Sequence, residues 1–357
     1  MNYRWTTLQS SKSHAADDTQ IIDLDVSDPI SQIVLQAKGT NSSHVPDGHP
    51  AKMITKIEVV DGSKVLYSAS GIQCQAIDYY HNNRIPLNII NYVSGSYCTG
   101  IFQLNFGRHL WDTMYALDPK RFVNPQLKYT VDYTGGGGSV TSAVAVEVMA
   151  KIFDEKKISP VGFLSQREVK SYTLATTTYE YIDLPTDYPY RMLMVQSLTA
   201  GKQPWEQYNT LRLDEDNDKK VILDESTSDL IKYLCSEWNP IVEGLLQRTN
   251  TTPQYDYVTP TYNCNLACTA EIDITNIPAY TVLDGGGIKV DSTASASFST
   301  VITGYIPHGG LAIPFGRLDD PADWYDVKKV GSLRLRVYGG SGASGTCQIV
   351  VQQAMPF

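Results

Sequence analysis

The sequence predicts an all-β protein built as two tandem sandwiches, and three observations support this class. The chain has 357 residues, more than the roughly 250 to 300 that one hydrophobic core usually serves. Short apolar or alternating segments recur along it, separated by clusters of turn residues, whereas helical periodicity is rare. Landmarks of the first half also return in the same order in the second half. Together these features predict two copies of one β-domain.

The predicted strands are short runs in which apolar residues alternate with polar ones or follow one another. The clearest runs are 57–60, 127–131, 144–148, 333–337 and 348–351. The turn signals between strands include 61–62, 135–138, 285–287 and 339–345. Helices are expected only at 72–81, 112–117 and 228–238. This distribution predicts long loops and a few short helices within a β-protein.

The repeat is first visible near the start of each half of the chain. The segment Ile22-Asp23-Leu24 returns as Ile182-Asp183-Leu184, and Pro29 and Gln36 return at the same offset of 160 residues. Next, a strand, an acidic turn and a second strand at 57–66 match 211–222. Because the order of these landmarks is conserved between the halves, the matches predict a duplicated domain rather than chance similarity.

The end of each half shows the repeat most clearly. Phe106-Gly107-Arg108 returns as Phe315-Gly316-Arg317, an offset of 209 residues, and Leu127 is matched with Leu333. Since the offset grows from 160 to 209, the second copy is predicted to contain an insertion at about 239–308. The landmarks predict an N-terminal arm (1–19), a first sandwich (20–153), a linker (154–175) and a second sandwich (176–357).

The composition excludes several classes of function. The formal net charge is −9, which disfavours direct binding of nucleic acid because such surfaces need clustered Lys and Arg. The chain lacks the run of about 20 apolar residues that spans a bilayer, and its N-terminus is polar, so neither a membrane span nor a signal peptide is expected. The six cysteines are dispersed and are predicted to stay reduced and mostly buried.

One acidic segment resembles a calcium-binding loop. Asp214, Asp216, Asp218 and Glu225 occupy positions 1, 3, 5 and 12 of that template. Lys219, however, stands where the template requires glycine, and the repeat predicts a turn between strands without flanking helices. The four residues are therefore a weak Ca²⁺ candidate, and a solvated acidic turn is the favoured interpretation.

Two further groups contain metal-binding residue types. His44, Asp47 and His49 lie in one segment, but their spacing does not match a metal-binding cupin, and a polar surface loop is favoured. Cys264 and Cys268 lack a second ligand pair nearby, which disfavours zinc. A late disulfide between these two cysteines stays open as an alternative. No metal or other cofactor is expected.

No catalytic motif is found, and no catalytic or cofactor-binding residue is assigned. The sequence has no nucleophile elbow, Walker loop or zinc-protease helix. The glycine runs do not open helices, so they are predicted to be turns. We accordingly expect no cleft of converging acids, histidines and cysteines between the domains. Tyr255, Tyr257 and Tyr262 could stack on glycans, but packing at an interface is favoured.

Several segments resemble the double jelly-roll major capsid proteins of the lineage that contains tectivirus coat proteins and adenovirus hexon. The segments that look like the end of the first jelly roll are 106–108, Asp112, 115–117, Phe122, Asn124 and 127–133. Those that look like the crossing into the second roll are 159–164, 171–173 and 181–185. The resemblance covers most of the chain and implies two jelly-roll sandwiches, as in tailless icosahedral bacteriophages.

The resemblance implies a major capsid protein that forms homotrimeric, pseudo-hexagonal capsomers in an icosahedral shell. Its implied partners are further copies of itself, minor capsid and penton proteins, and a membrane beneath the shell, without direct nucleic-acid binding. The implied location is the virion capsid, after synthesis in the host cytoplasm. The insertion would form an outward tower or fill a trimer contact. Alternatives are a viral spike or carbohydrate-binding appendage and, less favoured, a glycan-processing enzyme with two jelly rolls.

Overall fold

The computed structural model describes residues 2–46, 48–137, 140–248, 254–270, 279–291 and 297–357. Within these ranges the chain consists mostly of β-strands, with three α-helices and two single turns of 3-10 helix. None of the helices in the described ranges is long and apolar enough to cross a lipid bilayer. The strands and helices fall into two groups that follow one another along the chain.

The first half contains nine strands and one α-helix. Their bounds are β1 (Tyr3–His14), β2 (Asp18–Asp23), β3 (Ile30–Asn41), β4 (Ile54–Asp61), β5 (Lys64–Ala69), α1 (Gly71–Asn82), β6 (Asn88–Asn91), β7 (Tyr97–Asn105), β8 (Pro125–Val131) and β9 (Val140–Phe153). The 3-10 turns are Pro50–Met53 and Pro119–Arg121.

The second half repeats this order and adds further strands. Its elements are β10 (Gly162–Thr173), β11 (Tyr179–Leu184), β12 (Tyr190–Gln196), α2 (Pro204–Gln207), β13 (Tyr208–Glu215), β14 (Lys220–Ser226), α3 (Thr227–Cys235), β15 (Ile241–Arg248), β16 (Gln254–Tyr257), β17 (Pro260–Ala270), β18 (Ala279–Leu283), β19 (Gly287–Asp291), β20 (Ser297–Pro307), β21 (Gly310–Pro314), β22 (Leu333–Gly339) and β23 (Thr346–Pro356).

Each half is a sandwich of two sheets with the same strand order. The first half has strands β1-β9-β3-β7 in one sheet and β2-β8-β4-β5 in the other. The second half has β10-β23-β12-β21 and β11-β22-β13-β14. Corresponding strands occupy corresponding places, and all these pairs are antiparallel. The predicted fold, two jelly rolls in tandem, is confirmed, and the two sandwiches are called roll one and roll two below.

The duplication extends to individual hydrogen bonds. The N–H of Phe106 donates to the carbonyl of Ser31 at 3.2 Å, and the N–H of Phe315 donates to the carbonyl of Arg191 at 3.0 Å. Ser31 and Arg191 are separated by the offset of 160 found in the sequence. Both phenylalanines are buried beside the cores. The predicted match of Phe106 with Phe315 therefore holds in the backbone pairing.

The second predicted match needs a shift of two residues. Ile22 pairs with Leu127 across β2 and β8, whereas its counterpart Ile182 pairs with Leu335 across β11 and β22. Leu127 thus corresponds to Leu335 and not to Leu333. A shift of two residues keeps the same face of a strand, so alternation alone could not distinguish the two alignments.

Alternation explains how the strands build the two cores. In β8, Leu127, Tyr129 and Val131 are buried, while the residues between them are less buried. Most buried apolar residues of roll one form one cluster together with residues of the insertion, and most of those of roll two form another. Ser70 and Ser226 begin α1 and α3 by accepting a hydrogen bond from the backbone N–H three residues later. The predicted helices at 72–81 and 228–238 are thereby confirmed.

Two segments that were expected to lie outside the sandwiches form strands of the sheets. Residues 3–14, expected within an arm (1–19), form β1 and pair with β9, and 18–23 form β2. The expected linker (154–175) contains β10, which pairs with β23. These strands are rich in polar residues and gain stability from backbone pairing, which hydrophobic alternation does not reveal.

The helix expected at 112–117 is not formed. Asp112 accepts hydrogen bonds from the N–H groups of Arg108 and Met114, at 3.0 and 2.9 Å, and so folds this segment into turns. Leu117 then bonds with Ile30 through both backbone groups, at 2.7 and 2.9 Å. An aspartate that competes for local N–H groups favours a turn over a helix here.

The segment predicted as an insertion joins roll two to roll one. In the described residues, six strands, β15 to β20, lie between α3 and β21, where roll one has only β6 between α1 and β7. β15 pairs in parallel with β6, which extends a sheet of roll one to eight strands in the order β1-β9-β3-β7-β6-β15-β20-β17. β16, β19 and β18 form a separate small sheet.

Helix α1 lies between the two rolls. On one side Gln75 donates to the carbonyl of Ile101 in β7 at 3.0 Å. On the other side Tyr80 packs against the sheet of roll two and donates its hydroxyl to the carbonyl of Gly310 at 2.9 Å. The helix is buried over most of its length because both rolls contact it.

Candidate functional site

The acidic turn between β13 and β14 holds three of the Ca²⁺ candidates. Asp218 pairs with Arg212 at 2.7 Å and with Arg336 at 2.5 Å, and Arg336 also lies 3.0 Å from a carboxylate oxygen of Asp214. The hydrogen bond from Arg336 and that from Arg212 lower the pKa of Asp218. The guanidinium groups of Arg212 and Arg336 therefore lie beside the carboxylates of Asp214 and Asp218, in the position that a calcium ion would occupy.

The remaining candidates point elsewhere. Asp216 accepts hydrogen bonds from the backbone N–H groups of Gly331 and Ser332 at 2.8 and 3.0 Å. Glu225 lies opposite Leu211 across β13 and β14, whereas Arg212 is the next residue along β13. Because successive side chains of a strand point to opposite faces, Glu225 lies on the face of the sheet that Arg212 does not occupy. No group of three or more His, Cys, Asp or Glu in the described ranges is placed to hold a metal ion. The four residues do not form a calcium loop in this structure.

The histidines expected in one surface loop diverge. His44 is solvent-accessible and accepts a hydrogen bond at Nδ1 from a backbone N–H after β6. His49 is buried, and its Nδ1 accepts from the N–H of Ala51 at 3.1 Å, which caps the turn Pro50–Met53. Asp47 lies outside the described residues. The expectation of a polar surface loop is therefore wrong for His49, because its ring is enclosed between roll one and the insertion.

Glu243 is the buried partner of His49. His49 Nε2 lies 3.4 Å from Glu243 Oε1, and Thr259 donates its N–H and its hydroxyl to the same carboxylate, each at 2.7 Å. Asn88 donates to Oε1 at 3.2 Å. Burial alone would raise the pKa of Glu243, but its interaction with His49 and the hydrogen bonds from Thr259 outweigh burial and hold the pKa at about 2. Glu243 is thus a buried, fully hydrogen-bonded carboxylate.

His308 completes this polar junction. Its ring lies 5.0 Å from that of His49, and its Nε2 is 3.1 Å from Gln75 Oε1 in α1. Burial, with a smaller contribution from the neighbouring His49, holds the pKa of His308 well below its usual value. Because His49 and Gln75 belong to roll one while Glu243 and His308 follow α3, the junction fastens the insertion to roll one.

A cavity of about 430 Å³ adjoins the junction, between roll one and β15 of the insertion. Its lining includes Asp78 and Glu243. Burial raises the pKa of Asp78 to about 7, and Asn82 and Asn105 each donate an amide N–H to it. Among the described residues the lining holds no His, Cys or Ser. Asp78 is held by two amides, whereas Glu243 is held by Thr259, Asn88 and His49, and His49 does not line the cavity.

The tyrosines considered for glycan stacking do not form one platform. Tyr257 is partly buried, with the ammonium group of Lys52 5.0 Å from its ring centroid. Tyr262 packs edge-to-face on Trp205 with ring centroids 5.6 Å apart. Of the three, only Tyr255 is largely exposed, with 48% of its surface accessible to solvent. Two of the three rings are therefore used in packing within the chain.

Cys264 and Cys268 lie on β17, four residues apart along one strand. Four residues of extended chain span about 13 Å, whereas the Cα atoms of a disulfide lie within about 7 Å. Cys268 Sγ instead lies 3.2 Å from the hydroxyl of Tyr280. All six cysteines are free thiols. A disulfide between Cys264 and Cys268 does not fit this fold.

The glycine runs lie between the last two strands of each roll, as the repeat predicts. A Cβ on Gly339 would lie 1.9 Å from the carbonyl oxygen of Ala175, and one on Gly135 would lie 2.8 Å from that of Lys52. Gly138 lies outside the described residues. At these positions the glycines are needed because another backbone segment passes close by, and not for flexibility.

Comparison with known proteins adds to this description. No family model and no curated protein matches the sequence. Solved structures of viral proteins match over nearly the whole chain. The major capsid protein P2 of bacteriophage PM2 is 12% identical with a TM-score of 0.58, and the alignment covers 99% of this chain and 98% of that one.

Two further structures also come from viruses. A chain of Sulfolobus Turreted Icosahedral Virus aligns at 12% identity and a TM-score of 0.61, covering 100% of this chain and 92% of that one. A chain of the PBCV-1 virus capsid aligns at 9% identity and a TM-score of 0.57, covering 99% and 93%. Together with the matching strand orders of rolls one and two, these alignments show that the chain has the double jelly-roll fold of viral major capsid proteins.

Proposed function

We propose that this chain is the major capsid protein of an icosahedral virus. The observation that carries the proposal is the duplicated roll, which has the same strand order in both halves and aligns end to end with capsid proteins. A duplicated domain suits a lattice because each copy can make lateral contacts with neighbouring chains. An appendage that binds a receptor does not need a second copy of the domain. The proposed location is the virion shell, after synthesis in the host cytoplasm.

The proposed assembly unit is a homotrimer with a pseudo-hexagonal outline. Three chains contribute six similar rolls, so one capsomer can occupy a six-coordinated position in a shell. The domain limits that suit this unit are about 3–153 for roll one and 162–357 for roll two, with β15 to β20 inserted in roll two. Three chains of 39.6 kDa give a capsomer of about 119 kDa.

The proposed partners follow from the same assembly. Capsomers would contact one another, and minor capsid and penton proteins would fill the vertices of the shell. In the lineage that the sequence resembles, a membrane lies beneath the shell. The net charge of −9 argues against direct contact with nucleic acid. Contacts between acidic capsomers should strengthen as salt or divalent ions screen their repulsion.

Negative-stain electron microscopy of the purified protein tests the proposal. A capsid protein should give uniform particles with a hexagonal outline and, at high protein concentration or in added salt, hexagonal arrays. Single particles with a two-lobed outline and no lateral contacts at any salt concentration would contradict it.

The alternative of a glycan-processing enzyme has one observation in its favour, the cavity that contains Asp78 and Glu243. Incubating the protein with a set of N-glycosylated peptides and measuring released glycan by mass spectrometry tests this alternative. The proposed structural role predicts no release. Release that is abolished by Asp78→Asn and Glu243→Gln would establish the enzyme instead.

A further inference from the structure

The outward face of the eight-stranded sheet carries a group of exposed apolar side chains. They lie on or next to β6, β7, β15 and β20, on the side away from the core. This group, called the apolar face below, comprises Leu87, Ile89, Tyr97, Val242 and Val301, which are 66%, 48%, 48%, 60% and 42% exposed. A soluble monomer rarely exposes so many large apolar side chains on adjoining strands, so the face is expected to be covered by a partner.

The register of the strands makes the apolar face continuous. Val242 lies opposite Thr303, and Val301 lies opposite Gly244 in the same antiparallel pair. Ile89 lies opposite Thr99 on the other side of β6. The residues that separate the apolar side chains are therefore small and uncharged.

The apolar face is also uneven, with a ridge between two hollows. Leu87 lies between two hollows of about 430 and 540 Å³, and it lines both of them together with Ile101. The second hollow is bounded by Ile89 and Tyr97. A ridge between two hollows can interlock with side chains of a rigid protein surface, and this raises the complementarity available to a docked partner.

The charges at the rim indicate an acidic partner. Lys38 lies over the ring of Tyr97, with Nζ 3.8 Å from the ring centroid, and Arg84 borders the first hollow. Neither Lys38 nor Arg84 belongs to an ion pair in the part of the chain that the structure describes. One acidic residue, Glu147 on β9, lies opposite Gln36 on β3, two residues before Lys38. Arg84 also interacts electrostatically with the buried Asp78, which lines the same hollow. An apolar centre with two cations at its rim suits a protein surface that carries carboxylates better than a polyanion, which would need many more cations.

We propose that the apolar face is the contact that one copy of this chain makes with the next copy in the trimer. This inference rests on the proposed capsid function. A second copy also carries a net charge of −9, so two copies repel overall. Burial of the apolar face can offset this repulsion, and Lys38 and Arg84 place positive charge next to the negatively charged neighbour. In a threefold ring the contact is heterologous, so the apolar face meets a different surface of the neighbouring copy.

The test compares two variants on the apolar face with one matched control. Val242→Asp and Leu87→Asp place a carboxylate in the centre of the contact. Val123→Asp makes the same kind of change at a valine that is 95% exposed and lies outside the apolar face, before β8. Sedimentation velocity at micromolar concentrations measures the mass of each protein, and circular dichroism checks that each is folded.

We expect the wild type and Val123→Asp to sediment at about 119 kDa, and both face variants to shift to 39.6 kDa with at least tenfold weaker association. If all three variants stay trimeric, the apolar face is not the contact, although the trimer itself stands. If the wild type is monomeric, the capsomer and this inference both fail. Should an aspartate variant misfold, Lys38→Glu with Arg84→Glu tests the exposed rim and should weaken the trimer likewise; an unchanged trimer would overturn the inference.

Discussion

His49 and Glu243 are 194 residues apart in the chain, yet their side chains meet at 3.4 Å in the interior. The contact joins a turn of roll one to β15 of the insertion. The His49 side chain is 2% exposed and that of Glu243 is 3% exposed, so water scarcely competes for the contact. The pair therefore couples the insertion to the rest of the molecule.

Removing the carboxylate should destabilise the protein strongly. Glu243→Ala leaves His49 and Thr259 without their buried acceptor, and breaking such a pair costs about 3–5 kcal/mol. Urea denaturation should show this loss as a lower midpoint. Asp319→Ala breaks the ion pair between Asp319 and Arg317, whose side chains are each 67% exposed, and should leave the midpoint nearly unchanged because water screens this pair. Equal effects of the two variants would contradict the assigned role of Glu243.

Asp256 should make stability depend on pH. Burial raises its pKa to about 7, partly offset by the amide of Gln254. An acid with a raised pKa in the folded state favours folding at low pH, and this contribution is lost as the pH rises through about 7. The melting temperature of Asp256→Asn, relative to the wild type, should therefore rise between pH 4 and pH 8. A difference that does not vary with pH would contradict the burial of an ionisable Asp256.

Glu243 should behave in the opposite sense. Its pKa is held at about 2, below the ordinary value of 4.5. An acid with a lowered pKa stabilises the fold above its ordinary pKa, and this contribution is lost as the pH falls towards 2. Glu243→Gln should therefore lower the melting temperature at pH 7 and have a smaller effect near pH 2, as measured by differential scanning fluorimetry. An equal effect at both values would show that the carboxylate is not ionised at neutral pH.

How much of this the sequence could predict depends on the range of the interactions. The matching strands, such as Ile57–Val60 with the segment from Leu211, could be predicted because alternation is local. β1 could not, because its polar residues give little alternation and its stability comes from pairing with β9. The junction of His49 with Glu243 was also missed, since no local signal links residues from different halves.

Close backbone packing at Gly339 predicts a sharp difference between two glycine variants. Gly339→Ala would place a methyl group 1.9 Å from the carbonyl oxygen of Ala175, so the backbone must move, at a cost of about 1–3 kcal/mol or more. Gly244→Ala meets no atom within 4 Å and should be nearly neutral. Melting temperatures of the two variants check this. A Gly339→Ala protein as stable as Gly244→Ala would show that the two segments do not approach as described.

The thiols should all be free but unequally reactive. Burial raises the pKa of Cys74, Cys235, Cys264 and Cys347 to about 12, so these thiols should react slowly with an aromatic disulfide reagent while the protein is folded. After denaturation without reductant, six thiols per chain should titrate. A count of four would indicate one disulfide and would contradict the extended conformation of β17.

The proposed capsomer is tested most directly by the mass of the wild-type protein in solution. Light scattering coupled to size exclusion should be run from about 1 to 100 μM protein at moderate salt. The capsid proposal predicts a stable species of about 119 kDa, three chains of 39.6 kDa, across this range. A protein that stays at 39.6 kDa at every concentration would contradict it and would favour an appendage that acts as a single chain.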